Sequence, residues 1–230
     1  MTDPTDRTAG IPALYEQFRA LLDAEDTEAC VLFALARLDA GELDVVELYE
    51  QVLAPAAREQ RCSRRGRQLC IWEEHVRTSI IRTVLECCLP HLMKSRRLRS
   101  GDASRGRVVI VCPTEEYHEL GARMAADLFT LCGYDVTFVG ANTPQQEIVE
   151  AALLLHPSYI GVSVTSPYNL LAARRVIQHL REMRSRTGAG FQIVVGGKAF
   201  EHDPQLVDEL GADRLLHGYD DIYRLSGGEQ

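Results

Sequence analysis

The sequence predicts an α/β protein in two parts, an N-terminal helical bundle followed by a doubly wound domain with a parallel sheet. Up to about residue 94 the apolar residues recur at helical spacing, and no convincing strand pattern is found there. After residue 107, short apolar runs alternate with amphipathic helical patterns, with little chain between them. Strands arranged in this way are joined by helical crossovers, and they therefore run parallel.

The helical part is predicted over residues 11–94. Its apolar stripes include Val45, Leu48, Tyr49 and Val52, and further along Trp72, Val76, Ile80 and Val84. Breaks at "DAED", "DAGELD", "SRRG" and Pro90 divide it into three or four helices with short connections, which is typical of a small bundle. We expect residues 1–10 to form a disordered tail. We expect residues 95–106, "SRRLRSGDASRG", to form an exposed linker, because they are rich in Arg, Ser and Gly.

The sheet is predicted within residues 107–230. Strands are expected at "VVIVC", "DVTFV", "YIGVSV", "FQIVVGG" and weakly at "RLLHG", with helices over 119–132, 144–155, 168–187 and from about Pro204. The segment "TPQQ" predicts a helix start with Thr143 as N-cap, Pro144 at the first helical position and Gln146 completing a capping box. Gly133 is expected to end the preceding helix.

Composition and charge exclude several classes of function. The chain has 25 Lys and Arg against 33 Asp and Glu, a net charge of -8, so direct binding to nucleic acid is not expected. Its seven cysteines are odd in number and form no CxxC pair, which indicates reduced core residues of a cytoplasmic protein. The N-terminus does not resemble a signal peptide, and no segment approaches the ~18 uninterrupted apolar residues of a membrane span.

The first candidate binding residues follow the first predicted strand, in "CPTEEYHELG". Ligands of doubly wound sheets bind beyond the carboxyl ends of the strands. His118 lies there just before a helix, with Glu116 two residues upstream. A neutral imidazole is a metal ligand, and a nearby carboxylate can accept its other N–H and fix the tautomer. The alternative interpretation is an ordinary solvent-exposed loop histidine.

The next two strand ends carry small and hydroxylated residues. In "VGANTP", Gly140 and Thr143 allow close backbone approach beside a helix start, although an ordinary capped loop has the same composition. In "SVTSPYN", Ser163, Thr165 and Ser166 place hydroxyl groups at a strand end, where hydroxyls also commonly cap the next helix.

The fourth strand end, "VVGGKAF", carries Gly196 and Gly197. The absence of side chains there leaves room for a flat ligand or a nucleotide-like tail. A double glycine is also compatible with a simple turn, so this feature gains meaning only beside the other strand ends.

Together these residues form a pattern that resembles the signature of cobalamin-binding domains, in which a protein histidine replaces the cofactor's own base on cobalt. The pattern is Glu116-x-His118-x-x-Gly121, then 41 residues, then Ser163-x-Thr165, and finally Gly196-Gly197. The family normally has Asp-x-His-x-x-Gly, Ser-x-Leu and Gly-Gly, so Glu116 is one methylene longer and Thr165 replaces Leu. The segment "VGANTPQQEIVEAA" also looks like the family's strand, loop and helix after the first crossover.

The resemblance covers residues 107–230 and implies a flavodoxin-like cobalamin-binding domain with His118 as the metal ligand. It implies cofactor contacts at all four strand ends, from Glu116, His118, Gly121, Gly140, Thr143, Ser163, Thr165, Ser166, Gly196 and Gly197. Within this set, Ser163, Thr165, Gly196 and Gly197 are expected to line the channel for the nucleotide tail.

The resemblance also gives the helical bundle a role, since many members carry such a cap over the exposed face of the corrin. The segment 73–85, "EEHVRTSIIRTVL", resembles the Glu-His helix of light-responsive cobalamin-dependent regulators, whose bundle covers an adenosyl group. Trp72, Glu74 and His75 are therefore expected to border the upper face of the corrin. On a helix His75 lies about 60° from the predicted apolar stripe, at the edge of the core face. Those regulators have a tryptophan ten residues before the glutamate, where this chain has Arg64.

Three functions remain open on this basis. The favoured one is a cobalamin-dependent regulatory protein that senses light through cleavage of a Co–C bond, with adenosylcobalamin as the expected form. The second is a corrinoid protein that carries methyl groups between methyltransferases, and the third is a flavodoxin-like module without cobalt. A resemblance to photocobilins also leaves room for a second tetrapyrrole, a bilin.

The way in which such a sensor would act also follows from these patterns. Only about ten residues precede the first predicted helix, so we expect no DNA-binding domain and a signal that passes through a protein partner or a homo-oligomer. The sequence shows no acid–base pair or nucleophile for self-contained catalysis, so the chain is not expected to be an enzyme.

Overall fold

The computed structural model describes residues 4–59, 71–101, 103–201, 203 and 205–227. The chain divides into two compact units, residues 1–95 and 96–230. The predicted break at "SRRG" lies outside the described residues. Among the described residues, none of the helices has the length and apolar character needed to cross a bilayer.

The first unit is helical. Its elements are α1 (Pro4–Asp23), α2 (Thr27–Asp39), α3 (Val45–Glu47), a π-helical segment (Leu48–Leu53), α4 (Ala54–Arg58), α5 (Ile71–Cys87) and α6 (Leu89–Ser100), which from Arg96 onwards belongs to the second unit. The segment from α3 to α4 is continuous. The largest fully buried side chains of this unit are Phe18, Leu22, Leu43, Leu48, Tyr49, Leu53, Ile81, Leu85 and Leu92. The breaks predicted at "DAED" and "DAGELD" are confirmed, because α1 ends at Asp23 and α3 begins at Val45.

Two segments expected to be irregular are helical. Residues 4–10 belong to α1 rather than to a disordered tail, and the fixed φ of Pro4 suits the first position of a helix. Helix α6 continues to Ser100 into the segment expected to be a linker. The Ser100 hydroxyl donates to the Leu131 carbonyl (2.9 Å), and Arg96 donates to Asp135 (3.1 Å). These long-range contacts stabilise a helix end with little apolar surface of its own.

The buried face of α5 differs from the predicted stripe. Trp72 is 48% exposed, whereas Ile80, Ile81, Val84 and Leu85 are buried together with the charged Glu73 and Arg77. The Arg77 guanidinium forms an ion pair with Asp23 on α1, which explains why this charged residue lies on the inner face. Trp72, the first residue of the predicted apolar stripe, therefore lies outside the core.

The second unit is the predicted parallel sheet with its crossover helices. Its elements are β1 (Arg107–Pro113), α7 (Leu120–Leu131), β2 (Asp135–Thr143), α8 (Gln145–Leu155), β3 (Tyr159–Ser163), α9 (Leu170–Thr187), β4 (Gln192–Gly196), α10 (Leu206–Leu210), β5 (Arg214–Leu216) and α11 (Tyr219–Leu225). The strand order is β2-β1-β3-β4-β5, and every pair is parallel. The α/β prediction and the position of each strand are confirmed.

The core of this unit comes from alternating strand residues. Val109 and Val111 of β1, with their counterparts on β3 and β4, pack with Val176, Ile177 and other residues of α8 and α9. The intervening residues of β1 are also buried, so that the strand is covered on both faces as a doubly wound sheet requires. Because β1, β3 and β4 are parallel neighbours in the sheet, their carboxyl ends lie side by side at one edge of the sheet.

The helix boundaries near β2 were predicted with mixed success. Gly133 follows the end of α7 with a φ of +91°, as expected for a glycine that ends a helix. The capping prediction is wrong, because Pro144 is the N-cap of α8 and no side chain caps this helix. Thr143 remains in β2, where its hydroxyl donates to the Gly140 carbonyl (3.1 Å). Continued strand pairing with β1 keeps Thr143 extended and draws its hydroxyl away from the helix.

The five described cysteines are thiols, and all but Cys87 are buried. Burial raises the pKa of Cys112 to about 12 and the pKa of Cys30 to about 11. The thiols of Cys30 and Cys112 therefore remain protonated near neutral pH, as is usual for buried cysteines. Cys62 and Cys70 lie outside the described residues.

Candidate functional site

Three of the predicted strand ends converge at the carboxyl edge of the sheet. Glu116 lies in the loop after β1, and its Oε2 accepts the backbone N–H of Thr165 (2.9 Å), which follows β3. The backbone N–H of Val164 in turn donates to the carbonyl of Gly196 at the end of β4 (2.9 Å). These hydrogen bonds join segments that are about fifty and thirty residues apart in the chain.

Glu116 is the centre of this arrangement. Its side chain is fully buried, and five donors surround its carboxylate. Oε1 accepts from the backbone N–H (3.0 Å) and ring Nδ1 (2.7 Å) of His118. Oε2 accepts from the backbone N–H groups of Thr165 (2.9 Å) and Ser166 (3.0 Å) and from Nδ2 of Asn169 (3.1 Å).

The ionisation of Glu116 follows from these contacts. Burial alone raises the pKa of the carboxyl group, because the charged form loses its hydration. The hydrogen bonds from Ser166, Asn169 and His118 outweigh burial and hold the pKa below its ordinary value. Glu116 is therefore an ionised acceptor at neutral pH.

The charge of Glu116 sets the state of the His118 ring. A carboxylate can only accept, so the neutral ring must carry its proton on Nδ1, which lies 2.7 Å from Oε1. The Nε2 atom then has the lone pair that a metal ligand requires. The His118 side chain is 52% exposed. The predicted pairing of Glu116 and His118 is present in the structure.

Asn169 is a site residue that sequence reasoning missed. It is buried at the end of the short 3₁₀ turn Pro167–Asn169, and its Nδ2 donates to the Glu115 carbonyl (3.2 Å) as well as to Glu116 Oε2 (3.1 Å). The sequence carried one signal for this residue: an amide side chain in "SVTSPYN", directly after a strand end that already had candidate binding residues.

Gly121 occupies the first turn of α7, three residues after His118. A Cβ atom added there would meet nothing within 4 Å. Glycine in a helix costs about 1 kcal/mol relative to alanine. The packing of the described residues gives no reason for glycine at this position, where a side chain would enter open space.

The packing of the protein itself explains why residues 196 and 197 are both glycine. A Cβ on Gly196 would lie 2.9 Å from the Leu216 carbonyl oxygen. Gly197 has a φ of +105°, and its Cβ would lie 2.4 Å from the carbonyl oxygen of Val164. The two residues lie at the expected edge, beside Ser163, which is paired with Gly196 in the sheet. Their role in a tail-binding channel stays a prediction.

The fold itself also explains the residue types at Gly140 and Thr143. Gly140 has a φ of +94°, and a Cβ there would lie 3.0 Å from Oε2 of Glu119. Thr143 is buried and bonded to Gly140. Both residues belong to the end of β2 that contacts the His118 loop, and direct cofactor contact from them stays a prediction.

The remaining candidates lie on α5 of the helical unit. Trp72 is about half exposed, His75 is exposed and Glu74 is partly buried. The predicted contact of these side chains with the upper face of a corrin stays a prediction.

Comparison with known proteins gives one family and several relatives. The B12 binding domain family matches residues 106–222. The HTH-type transcriptional repressor CarH of Myxococcus xanthus is 28% identical over 185 residues, which are 80% of this chain and 58% of that protein. Trimethylamine corrinoid protein 1 of Methanosarcina acetivorans is 26% identical over 190 residues, 82% of this chain and 83% of that protein.

A solved structure shares the fold. The monomethylamine corrinoid protein of Methanosarcina barkeri superimposes with a TM-score of 0.77 at 14% identity, over 94% of this chain and 97% of that chain. The chain spans 58% of the repressor CarH and 55% of corrinoid protein DSY3155 of Desulfitobacterium hafniense, little more than half of each. These matches confirm the predicted resemblance.

Proposed function

Because the chain belongs to the B12 binding domain family, we propose that His118 binds the cobalt of cobalamin through Nε2 while Glu116 holds Nδ1–H. The observation that carries this proposal is the 2.7 Å contact between Nδ1 of His118 and Oε1 of the buried Glu116. A carboxylate that fixes the tautomer also makes a histidine a more basic metal ligand.

The surroundings of His118 fit a large planar cofactor. The ring is half exposed at the carboxyl edge of the sheet, where ligands of this architecture bind. The open space at Gly121 allows a ligand to lie over the start of α7 without a clash. Ser163, Thr165, Gly196 and Gly197 follow β3 and β4 at the same edge and would accommodate the nucleotide tail.

We further propose a regulatory role in which light is the signal. Adenosylcobalamin, when bound, supplies a Co–C bond that light cleaves. Trp72, Glu74 and His75 would respond to the loss of the upper ligand, and the signal would pass to a protein partner or a homo-oligomer, without direct nucleic-acid contact. This role is supported by the similarity to CarH, which extends over 80% of this chain. A ligand shifts such an equilibrium only by its different affinity for the two states.

A methyl-carrier function is the second candidate. It is favoured by the similarity to trimethylamine corrinoid protein 1, which covers 82% of this chain and 83% of that protein. The His118–Glu116 pair would serve either function. A cobalamin protein that also binds a bilin is a further alternative, and a second absorption band from the purified protein would reveal it.

The lower ligand is tested with His118→Ala. The cobalamin-loaded wild type, reduced to Co(II), should show hyperfine coupling to a histidine nitrogen in its electron spin resonance spectrum, and His118→Ala should not. His179→Ala, at an exposed histidine on α9, is the matched control and should keep the coupling. Coupling that is unchanged in His118→Ala would contradict the assignment.

An illumination experiment distinguishes the sensor function from the methyl-carrier function. Absorption spectra and size-exclusion profiles of the adenosylcobalamin-loaded protein should both change between dark and light if the protein is a sensor. Identical size-exclusion profiles in dark and light would contradict the sensor function. If a partner methyltransferase also cycled cobalt through its +1 state, the methyl-carrier function would be supported instead.

A further inference from the structure

The end of β2 carries two irregularities in its pairing with β1. Ile110 pairs with Phe138, but Val111 pairs with Gly140 and Pro113 with Thr143, so β2 contains one additional residue at each of two steps. Gly140 and Asn142, with φ angles of +94° and +50°, lie in these two steps. Bulges of this kind are frequent beside functional sites, where they change the direction of a side chain or backbone group.

The bulged segment contacts the His118 loop at four points. Oδ1 of Asn142 accepts the backbone N–H of Glu115 (2.9 Å), and the backbone N–H of Asn142 donates to the Glu116 carbonyl (2.9 Å). The Thr114 hydroxyl donates to the Thr143 carbonyl (3.3 Å). The backbone N–H of Ala141 donates to Oε2 of Glu119 (3.0 Å). These contacts involve residues that precede and follow His118 in the sequence.

The loop needs such support because its backbone is strained. Glu115 has a φ of +68°, in the left-handed region that a residue with a side chain adopts at an energetic cost. The N–H of Glu115 donates to the Asn142 side chain, and this hydrogen bond holds Glu115 in the left-handed conformation. Asn142 is itself left-handed, and asparagine tolerates that region better than most residues. Glu116 follows directly, and its carboxylate orients the imidazole of His118.

We infer that Asn142 is a positioning residue for the metal ligand: its side chain holds Glu115 in the left-handed conformation from which Glu116 reaches His118 Nδ1. The role in cobalt binding rests on the function proposed above, whereas the effect on the imidazole belongs to the protein without cofactor. Loss of the Asn142 acceptor should loosen residues 114–118 and weaken the Nδ1–H bond. An imidazole released into water prefers the Nε2–H tautomer, in which Nε2 has no lone pair for a metal.

The test measures the His118 tautomer in cofactor-free protein by nitrogen-15 NMR at constant pH, with His118→Ala for assignment. Asn142→Gly keeps the backbone conformation accessible and removes the acceptor, whereas Asn142→Asp restores an acceptor of the same shape. We expect Asn142→Gly to shift the tautomer ratio towards Nε2–H by about two- to tenfold, the range that the loss of one hydrogen bond supports. Asn142→Asp should restore the wild-type ratio.

His156→Gly is the matched control, because His156 has a φ of +46° at the end of α8 and is exposed. A tautomer ratio that is unchanged in folded Asn142→Gly, or an equal shift in His156→Gly, would overturn the inference. If Asn142→Gly does not fold, Thr114→Val removes a weaker contact of the same segment and should cause a smaller shift. An unchanged ratio in Thr114→Val would then overturn the inference.

The loaded protein gives a second readout. Asn142→Gly should lower the fraction of bound Co(II) cobalamin with histidine hyperfine coupling, and Asn142→Asp should restore it. Failure of the wild type to bind cobalamin would contradict the proposed function, while the tautomer ratios would still decide the role of Asn142.

Discussion

The amide nitrogen of Asn169 donates to two oxygens of the His118 loop, the Glu115 carbonyl at 3.2 Å and Oε2 of Glu116 at 3.1 Å. One side chain from the segment after β3 thereby stabilises both the strained backbone and the buried charge of the loop after β1. The position of His118 consequently depends on contacts from two other strand ends, those of β2 and β3.

Asn169→Ala should destabilise the cofactor-free protein by about 1–3 kcal/mol, because it removes a hydrogen bond from a buried charged group. Chemical denaturation monitored by circular dichroism measures this difference. Tyr168→Ala is the neighbouring control: Tyr168 is 94% exposed, and its truncation should leave stability nearly unchanged. Equal stability of Asn169→Ala and the wild type would show that Glu116 finds another donor.

Glu116 should make stability depend on pH. Its folded-state pKa lies below its ordinary value, so its ionised form stabilises the fold above the unfolded pKa of about 4.3. This contribution is lost as the pH falls through the lower folded pKa. In Glu116→Gln, an NH₂ group faces N–H donors, and the variant should be less stable than the wild type near neutral pH.

The comparison of urea denaturation for the wild type and Glu116→Gln across this pH range tests the prediction. The difference in free energy of unfolding should shrink as the pH falls below about 4.3. A difference that grows on acidification would mean that the carboxyl group is stabilised in its protonated form. In the loaded protein, Glu116→Gln should weaken metal affinity by ~10 to 100-fold, as is usual for a group that orients a metal ligand.

The tail channel is best tested at Ser163, since Gly197 has a structural role. Gly197→Leu should fail to fold, because its Cβ would lie 2.4 Å from a backbone oxygen. Ser163→Leu should fold and should weaken cobalamin binding by about tenfold or more, equivalent to ~1.4 kcal/mol. Cobinamide, which has no nucleotide tail, is the control ligand. Equal losses for cobalamin and cobinamide would place Ser163 outside the channel.

His75→Ala tests the helical unit. If Trp72, Glu74 and His75 transmit the state of the cofactor, this variant should alter the light-dependent change in size-exclusion profile more than it alters cobalamin affinity. Ser79→Ala, also exposed on α5, is the control. A light response identical to that of the wild type would remove His75 from the proposed signalling route.

The alternation of strand and helix and the pairing of Glu116 with His118 were determined by the sequence alone. Apolar periodicity indicates which residues enter a sheet, and a spacing of two residues on one loop keeps the side chains of Glu116 and His118 within reach of each other. Gly133 and the breaks around α2 followed from local backbone preferences in the same way.

Only the tertiary structure decided which groups support that pair. Asn169 lies 53 residues from Glu116, and Asn142 lies 27 residues from Glu115, so no local pattern relates them. The parallel order of β2, β1 and β3 brings these residues together at one edge, and the bulges of β2 direct Asn142 towards the loop. The same reason explains the error at Thr143, because pairing with Pro113 of β1 keeps this residue in the strand and outweighs its local preference for a helix cap.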